Sequence, residues 1–214
     1  MGHVEERVSG MSMKETESIR ANGKVAQPAV FLDRDGTINV EKNYLHRIED
    51  WEWIPGAVEA IRAINTAGYQ VVVVSNQAGV ARGLYNEEDV RTLHAFVDAE
   101  LASKGAMIDA YYVCPHHPGF GEKINCDCRK PLPGMILRAR DECFVDLTAS
   151  WLVGDKLSDI EAAEAAGVTP ILVCTGYGMK DSQRLPANVR IEEDLAAACR
   201  YILSVRPIHS ITTK

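Results

Sequence analysis

The chain has 214 residues, with 23 Lys and Arg against 30 Asp and Glu, a formal net charge of −7. Hydrophobic residues make up 46% and charged residues 25%, a composition that excludes disorder over the whole chain. The acidic balance excludes a nucleic-acid binder working by broad phosphate neutralisation, and no apolar run approaches the roughly 20 residues of a membrane-spanning helix.

At roughly 150 residues per domain, the length predicts one domain. Residues 1–28 are polar and lack the apolar core of a secretory leader, so they are expected to form a flexible N-terminal arm. The domain is expected over 29–206, with a short tail at 207–214. Without a leader the default compartment is the cytoplasm. There, clustered cysteines read as metal ligands and scattered ones as small core residues.

Residues 29–33 (AVFLD) form the first short apolar run, read as a buried strand. Pro55 and Gly56 open a helix over 57–67 that Gly68 closes. Residues 69–74 (YQVVVV) are apolar at successive positions, as in a strand covered on both faces. An amphipathic helix over 87–103 precedes a third strand at 110–113. Pro133 and Gly134 open a further helix to about residue 142. A fourth strand spans 150–153, a helix 160–166, a fifth strand 169–174 and a final helix 192–203. Strands alternating with helices predict an α/β fold with a parallel sheet and helices on both faces. Ligands of such sheets sit beyond the carboxyl ends of the strands.

Three polar strings occupy those ends. The first strand runs into Asp33-Arg-Asp-Gly-Thr37, the second into Ser75-Asn-Gln-Ala-Gly79, and the fourth into Gly154-Asp-Lys-Leu-Ser-Asp159. Converging carboxylates repel, and a hard divalent cation is the usual compensation. Taken singly, each string has a plainer reading. Asp33 and Asp35 suit a turn after a strand, and Asp155, Asp159 or Ser75 a helix or turn cap.

Together and in this order, the strings resemble the haloacid dehalogenase superfamily of phosphotransferases. Its motifs are matched by Asp33 to Thr37, Ser75, Lys130, and Asp155 with Asp159. The resemblance covers about residues 29–178 and implies a three-layer Rossmann-like fold. It implies Asp33 as nucleophile, Asp35 as acid and base, and Ser75 with Lys130 as holders of the phosphoryl oxygens. Mg²⁺ would be bound by Asp33, the backbone carbonyl of Asp35, and Asp155. Such chemistry depends on in-line positioning and charge neutralisation.

Between the third strand and the next helix lie Cys114, His116, Cys126 and Cys128. Three thiolates and one imidazole make a closed tetrahedral set for a structural Zn²⁺, and the loop 114–128 delivers Arg129 and Lys130. His117 is an alternative to His116. Cys143, Cys174 and Cys199 read as core or incidental, and His94 as packed or solvated.

With this loop, the chain resembles the branch holding heptose 1,7-bisphosphate 7-phosphatases and histidinol-phosphate phosphatases. That branch lacks a large cap domain, and the 37–55 gap here is too short for one. The resemblance implies that Glu41, Lys42, Asn43 and Tyr44 line the sugar site with Asn76, Gln77 and Ala78. It implies Arg129 at the distal phosphate and Lys156 at the transferring one. Arg34 is expected to face away from the aspartates. Trp51 and Trp53 are expected to pack rather than stack on a sugar. The partner is then a small phosphorylated substrate, a sugar bisphosphate, with no nucleic acid or membrane, acted on by a monomer. Histidinol phosphate is the alternative substrate. A zinc-stabilised module that binds phosphate without catalysis is the alternative of another class.

Overall fold

The computed structural model describes residues 25–205. Most of the expected arm, and the whole of the expected tail at 207–214, lie outside those residues. Within the arm, the Gln27 backbone is docked: its N–H donates to the Phe144 carbonyl at 3.0 Å, and its carbonyl accepts from the Asp146 N–H at 2.9 Å.

Six parallel strands form one sheet: β1 (Ala29–Leu32), β2 (Gln70–Asn76), β3 (Ala110–Cys114), β4 (Trp151–Gly154), β5 (Thr169–Val173) and β6 (Arg190–Glu192). Their order is β3-β2-β1-β4-β5-β6. The chain progresses outward from β1 in both directions, so the order reverses at β1, where an open α/β sheet forms its ligand crevice.

All four side chains of β1 are fully buried, and they alternate between two cores. Val30 and Leu32 face helices α1 (Ala57–Thr66), α3 (Glu87–Ser103) and α7 (Leu195–Val205). Ala29 and Phe31 face α4 (Gly134–Cys143) and α5 (Leu157–Ala166). A strand at the centre of a three-layer sandwich has no solvent face, which is why its sequence reads as an unbroken apolar run. Short helices α2 (Ala78–Ala81) and α6 (Gly178–Asp181) follow β2 and β5.

The structure departs from the sequence expectation in one added strand and at the ends of elements. β6 is short and largely exposed, and carries no apolar run to announce it. Helix α5 begins at Leu157 rather than 160, because the Asp159 carboxylate accepts the Lys156 N–H at 3.0 Å and starts the helix early. No cap domain lies between β1 and α1: residues 38–54 fold as a short arm with one 3₁₀ turn, Ile48–Asp50. Trp51 and Trp53 pack against the first core and meet edge-on at 5.0 Å.

Candidate active site

The register sets Leu32 beside Val73 on one side and Val153 on the other. Asp33, one residue on, and Ser75 and Asp155, two residues on, therefore emerge together at the carboxyl edge. Asp33 and Ser75 line a cleft of about 240 Å³. It is lined by residues from the β1, β2 and β4 ends, the 41–44 segment and the loop before α4.

Buried charge dominates the floor. Asp33, Asp155 and Asp159 bring carboxylate oxygens within 4.8 Å of one another, and all three side chains are buried. Lys130 lies among them with Nζ 2.8 Å from Asp33 Oδ1 and 2.6 Å from Asp159 Oδ1. It also donates to the Val74 carbonyl at 2.7 Å. Burial works against its charge, but Asp159 and Asp33 outweigh burial and raise its pKa. Burial likewise opposes ionisation of Asp33, yet Lys130 and Lys156 hold its carboxyl below the usual range.

Asp155 is less well compensated. Burial, and then the neighbouring Asp33, push its pKa up to about 8. Its Oδ2 accepts the Tyr177 N–H at 2.8 Å. Its buried Oδ1 has no hydrogen-bond partner, and the nearest cation, Lys156 Nζ, stands 3.5 Å away. A fully buried carboxylate with an orphaned oxygen, beside a second carboxylate, is the environment a hard divalent cation satisfies, and Mg²⁺ fits it. Gly36 and Gly176, both at positive φ, close over this carboxylate. A Cβ on either would stand about 2.2 and 2.1 Å from Asp155 Oδ2. Any larger residue would displace the ligand.

Asp35 is held differently. Its Oδ1 accepts from Asn39 Nδ2 at 3.0 Å, and its Oδ2 from Gln77 Nε2 at 3.2 Å. The same Gln77 Nε2 donates to Ser75 Oγ at 2.7 Å, and Gln77 Oε1 accepts from Tyr85 at 2.7 Å. The expectation that Arg34 faces away from the aspartates is corrected here. Its buried guanidinium grips the Asp35 carboxylate, with NH2 3.0 Å from both oxygens. A buried guanidinium needs a counter-charge, and the adjacent carboxylate supplies it.

Glu41, Asn43, Tyr44, Asn76, Gln77, Ala78, Arg129 and Lys156 all line the cleft. Lys156 Nζ is 3.2 Å from Glu41 Oε2 and lies over the Tyr177 ring. Lys42 is the exception. It pairs with Glu52 at 2.9 Å and is not among the lining residues. The chain bends here, with Asn43 and Tyr44 at positive φ, so that Glu41, Asn43 and Tyr44 line the cleft while Lys42 pairs outside it. Tyr85, Ser158, Asp159 and Tyr177 also line the cleft. The motif string Gly154-Asp-Lys-Leu-Ser-Asp159 carried the signal for Asp159. Tyr85 and Tyr177 carry none that a sequence alone displays.

Beside the cleft, Cys114, His116, Cys126 and Cys128 converge. Cys114 Sγ lies 3.7 Å from Cys126 Sγ and 3.7 Å from His116 Nδ1, and His116 Nδ1 lies 3.3 Å from Cys128 Sγ. Tetrahedral Zn–S bonds of about 2.3 Å require edges of roughly 3.8 Å, so the set fits Zn²⁺. His117, the alternative ligand, is turned elsewhere: its Nδ1 accepts the Gly119 N–H at 3.0 Å and its ring lines the cleft. Two residues after Cys128, Asn76 clasps the Lys130 backbone from both sides, at 3.0 and 3.1 Å. Cys199 is buried; Cys143 and Cys174 are half-buried and lie outside both clusters.

The chain is similar to known proteins. The HAD-hydrolase-like family model matches residues 127–198. A D-glycero-β-D-manno-heptose-1,7-bisphosphate 7-phosphatase of Photorhabdus laumondii is 45% identical over 181 residues, 82% of this chain and 96% of that one. Its namesake from Escherichia coli K12 is 50% identical over 153 residues, 70% of this chain and 80% of that one. The crystal structure of a D,D-heptose 1,7-bisphosphate phosphatase from B. bronchiseptica, complexed with magnesium and phosphate, superposes with a TM-score of 0.76. It is 37% identical and covers 83% of this chain and 99% of that one. Sequence identity and fold thus agree, and the chain belongs to the heptose 1,7-bisphosphate 7-phosphatase family of haloacid dehalogenase-like hydrolases.

Proposed function

We infer that the chain removes the C7 phosphate of D-glycero-D-manno-heptose 1,7-bisphosphate, in the β form that the relatives' names specify. The observation that carries this reading is the floor of the cleft. There a buried Asp33, held ionised against Lys130, faces an Asp155 oxygen that lacks a partner.

Asp33 attacks phosphorus in line, and the sugar O7 leaves as Asp35 gives it a proton. Water then attacks the aspartyl phosphate, Asp35 takes the water's proton, and the Asp33–phosphorus linkage breaks. Ser75 and Lys130 hold the equatorial oxygens throughout. Two displacements replace one direct attack by water on a dianionic ester. Asp33, the Asp35 carbonyl and Asp155 would hold Mg²⁺, which supplies charge neutralisation at the phosphoryl group. Arg129 receives the distal phosphate with its planar fork, and Lys156 the transferring one. Cys114, His116, Cys126 and Cys128 hold structural Zn²⁺. On this reading the enzyme acts as a monomer in the cytoplasm.

The test compares phosphate release from both heptose bisphosphate anomers and histidinol phosphate in Mg²⁺ buffer. A preference of about 100-fold for a heptose, roughly 2.7 kcal/mol of transition-state binding, is expected. A preference for histidinol phosphate overturns the substrate, and no turnover of any phosphoester overturns the chemistry.

A further inference from the structure

Arg34 is among the largest fully buried side chains, at 1% exposure, yet it does not line the cleft. Its polar atoms are all engaged. Nε lies 3.2 Å from Asp35 Oδ1, NH2 reaches both Asp35 oxygens, and NH2 donates again to the Leu45 carbonyl at 2.8 Å. NH1 stands 3.4 Å from His94 Nε2. A guanidinium only donates, so that nitrogen must be the acceptor and the His94 proton must sit on Nδ1. The His94 ring is pressed flat against Tyr111, with centroids 4.1 Å apart, and Tyr111 donates to Asp98 at 2.7 Å. The fork is thus braced by a carbonyl from the 41–45 segment and by a stacked ring from α3.

We propose that Arg34 is a positioning residue, whose braced fork fixes the Asp35 carboxyl so that the proton transfers of both half-reactions occur in register. This inference rests on the assignment of Asp35 as acid and base. Proton transfer needs heavy atoms about 2.6–3.2 Å apart. A carboxylate on two rotatable bonds does not keep that distance unaided, and a misplacement near 1 Å costs on the order of 100-fold. Arg34 grips Asp35 from within the protein. Asn39 and Gln77 hold the same two oxygens, and one face of the carboxylate stays open to the cleft. In the first half-reaction the Asp35 proton goes to the sugar oxygen as its bond to phosphorus breaks. In the second, water forms the new bond to phosphorus, the Asp33 oxygen leaves, and the water's proton returns to Asp35.

The second half-reaction separates positioning from general damage. p-Nitrophenyl phosphate has a good leaving group and needs no acid to phosphorylate Asp33, but its phosphoenzyme still needs the base. Arg34→Lys keeps the charge and loses the fork. It is expected to release a near-normal burst of nitrophenolate, then turn over about 50-fold more slowly while phosphate accumulates on Asp33. KM for the heptose bisphosphate should stay within about threefold. His94→Phe, which keeps the stacked ring and removes the acceptor, should give the same split at about fivefold. It also serves as the test if Arg34→Lys does not fold. A burst and turnover that fall in parallel, or turnover unchanged in the folded variants, would overturn the inference. Asp35→Asn separates the levels. If it retains turnover, the assignment of Asp35 fails. If it loses turnover while the Arg34 and His94 variants do not, the Arg34 inference alone fails.

Discussion

The cleft and the cysteine loop lie side by side, and they are built on opposite principles. The cleft concentrates buried charge at the carboxyl edge of the sheet, where the register of β1 and β4 brings Asp33 and Asp155 together. Its buried carboxylates are hard oxygen donors, set on a sheet that two hydrophobic cores hold. The loop has little regular structure between Cys114 and Gly134, and its residues are mostly exposed. Its soft sulfur and nitrogen donors stand where a hydrophobic core would otherwise be. The comparison teaches that a charge removed from the cleft costs chemistry, whereas a ligand removed from the loop costs order first.

The strongest test of that contrast is Asp33→Asn. Turnover should fall by more than about 1,000-fold, on the order of 4 kcal/mol, while the protein still folds and keeps its zinc. Residual activity above about 1% would remove Asp33 as the nucleophile. Cys128→Ser should do the reverse. At roughly 2–4 °C per kcal/mol for a chain of this size, we expect Tm to fall by about 5 °C or more, with bound zinc lost in metal analysis. Turnover should fall about tenfold or more, because Lys130 follows Cys128 by two residues. An unchanged Tm would erase the distinction between the two regions.

Acid sharpens the comparison from the cleft side. Burial and then Arg34 lower the His94 pKa to about 3 in the folded protein, below the roughly 6.5 of an unfolded chain. The unfolded chain therefore binds the proton more readily. The stability His94 contributes is fully present above pH 6.5 and is lost as pH falls from 6.5 toward 3. Between pH 7 and 5 the loss should be ~2 kcal/mol in denaturant titrations, and His94→Phe should flatten that slope. Loop disruption by acid would leave the slope unchanged in that variant. The smallest effect belongs to the rim. Arg129→Ala should raise KM for the bisphosphate about tenfold and leave KM for a sugar monophosphate within about twofold, with Tm unchanged.

Much of this was legible in sequence because it is local. The strand-end strings and the cysteine spacing each lie within a few residues, and the parallel sheet turns their chain order into proximity. The Arg34–His94 contact joins residues 60 positions apart, and nothing at either end reports it. Gln77 was legible as a lining residue, but not its bridge from Ser75 to Asp35, which depends on how β2 ends. Lys42 pairs with Glu52 outside the cleft, in a bend with Asn43 and Tyr44 at positive φ that the sequence does not announce. The short edge strand β6 lacks the burial that gives a strand its pattern.

The clasp of Asn76 on the Lys130 backbone has a consequence for how this fold can change. The segment between β3 and Lys130 is fastened at both ends: the Cys114 and Pro115 carbonyls accept from Gln77 and Ala81, and the Asp127 carbonyl accepts from Gly134. Residues inserted between these fastenings would lengthen a closed loop, at only about 0.6 kcal/mol per doubling. They would not move the lysine. Descendants of such a chain are free to gain or lose residues around 117–125 and so reshape the cleft mouth, while the reaction they catalyse stays the same.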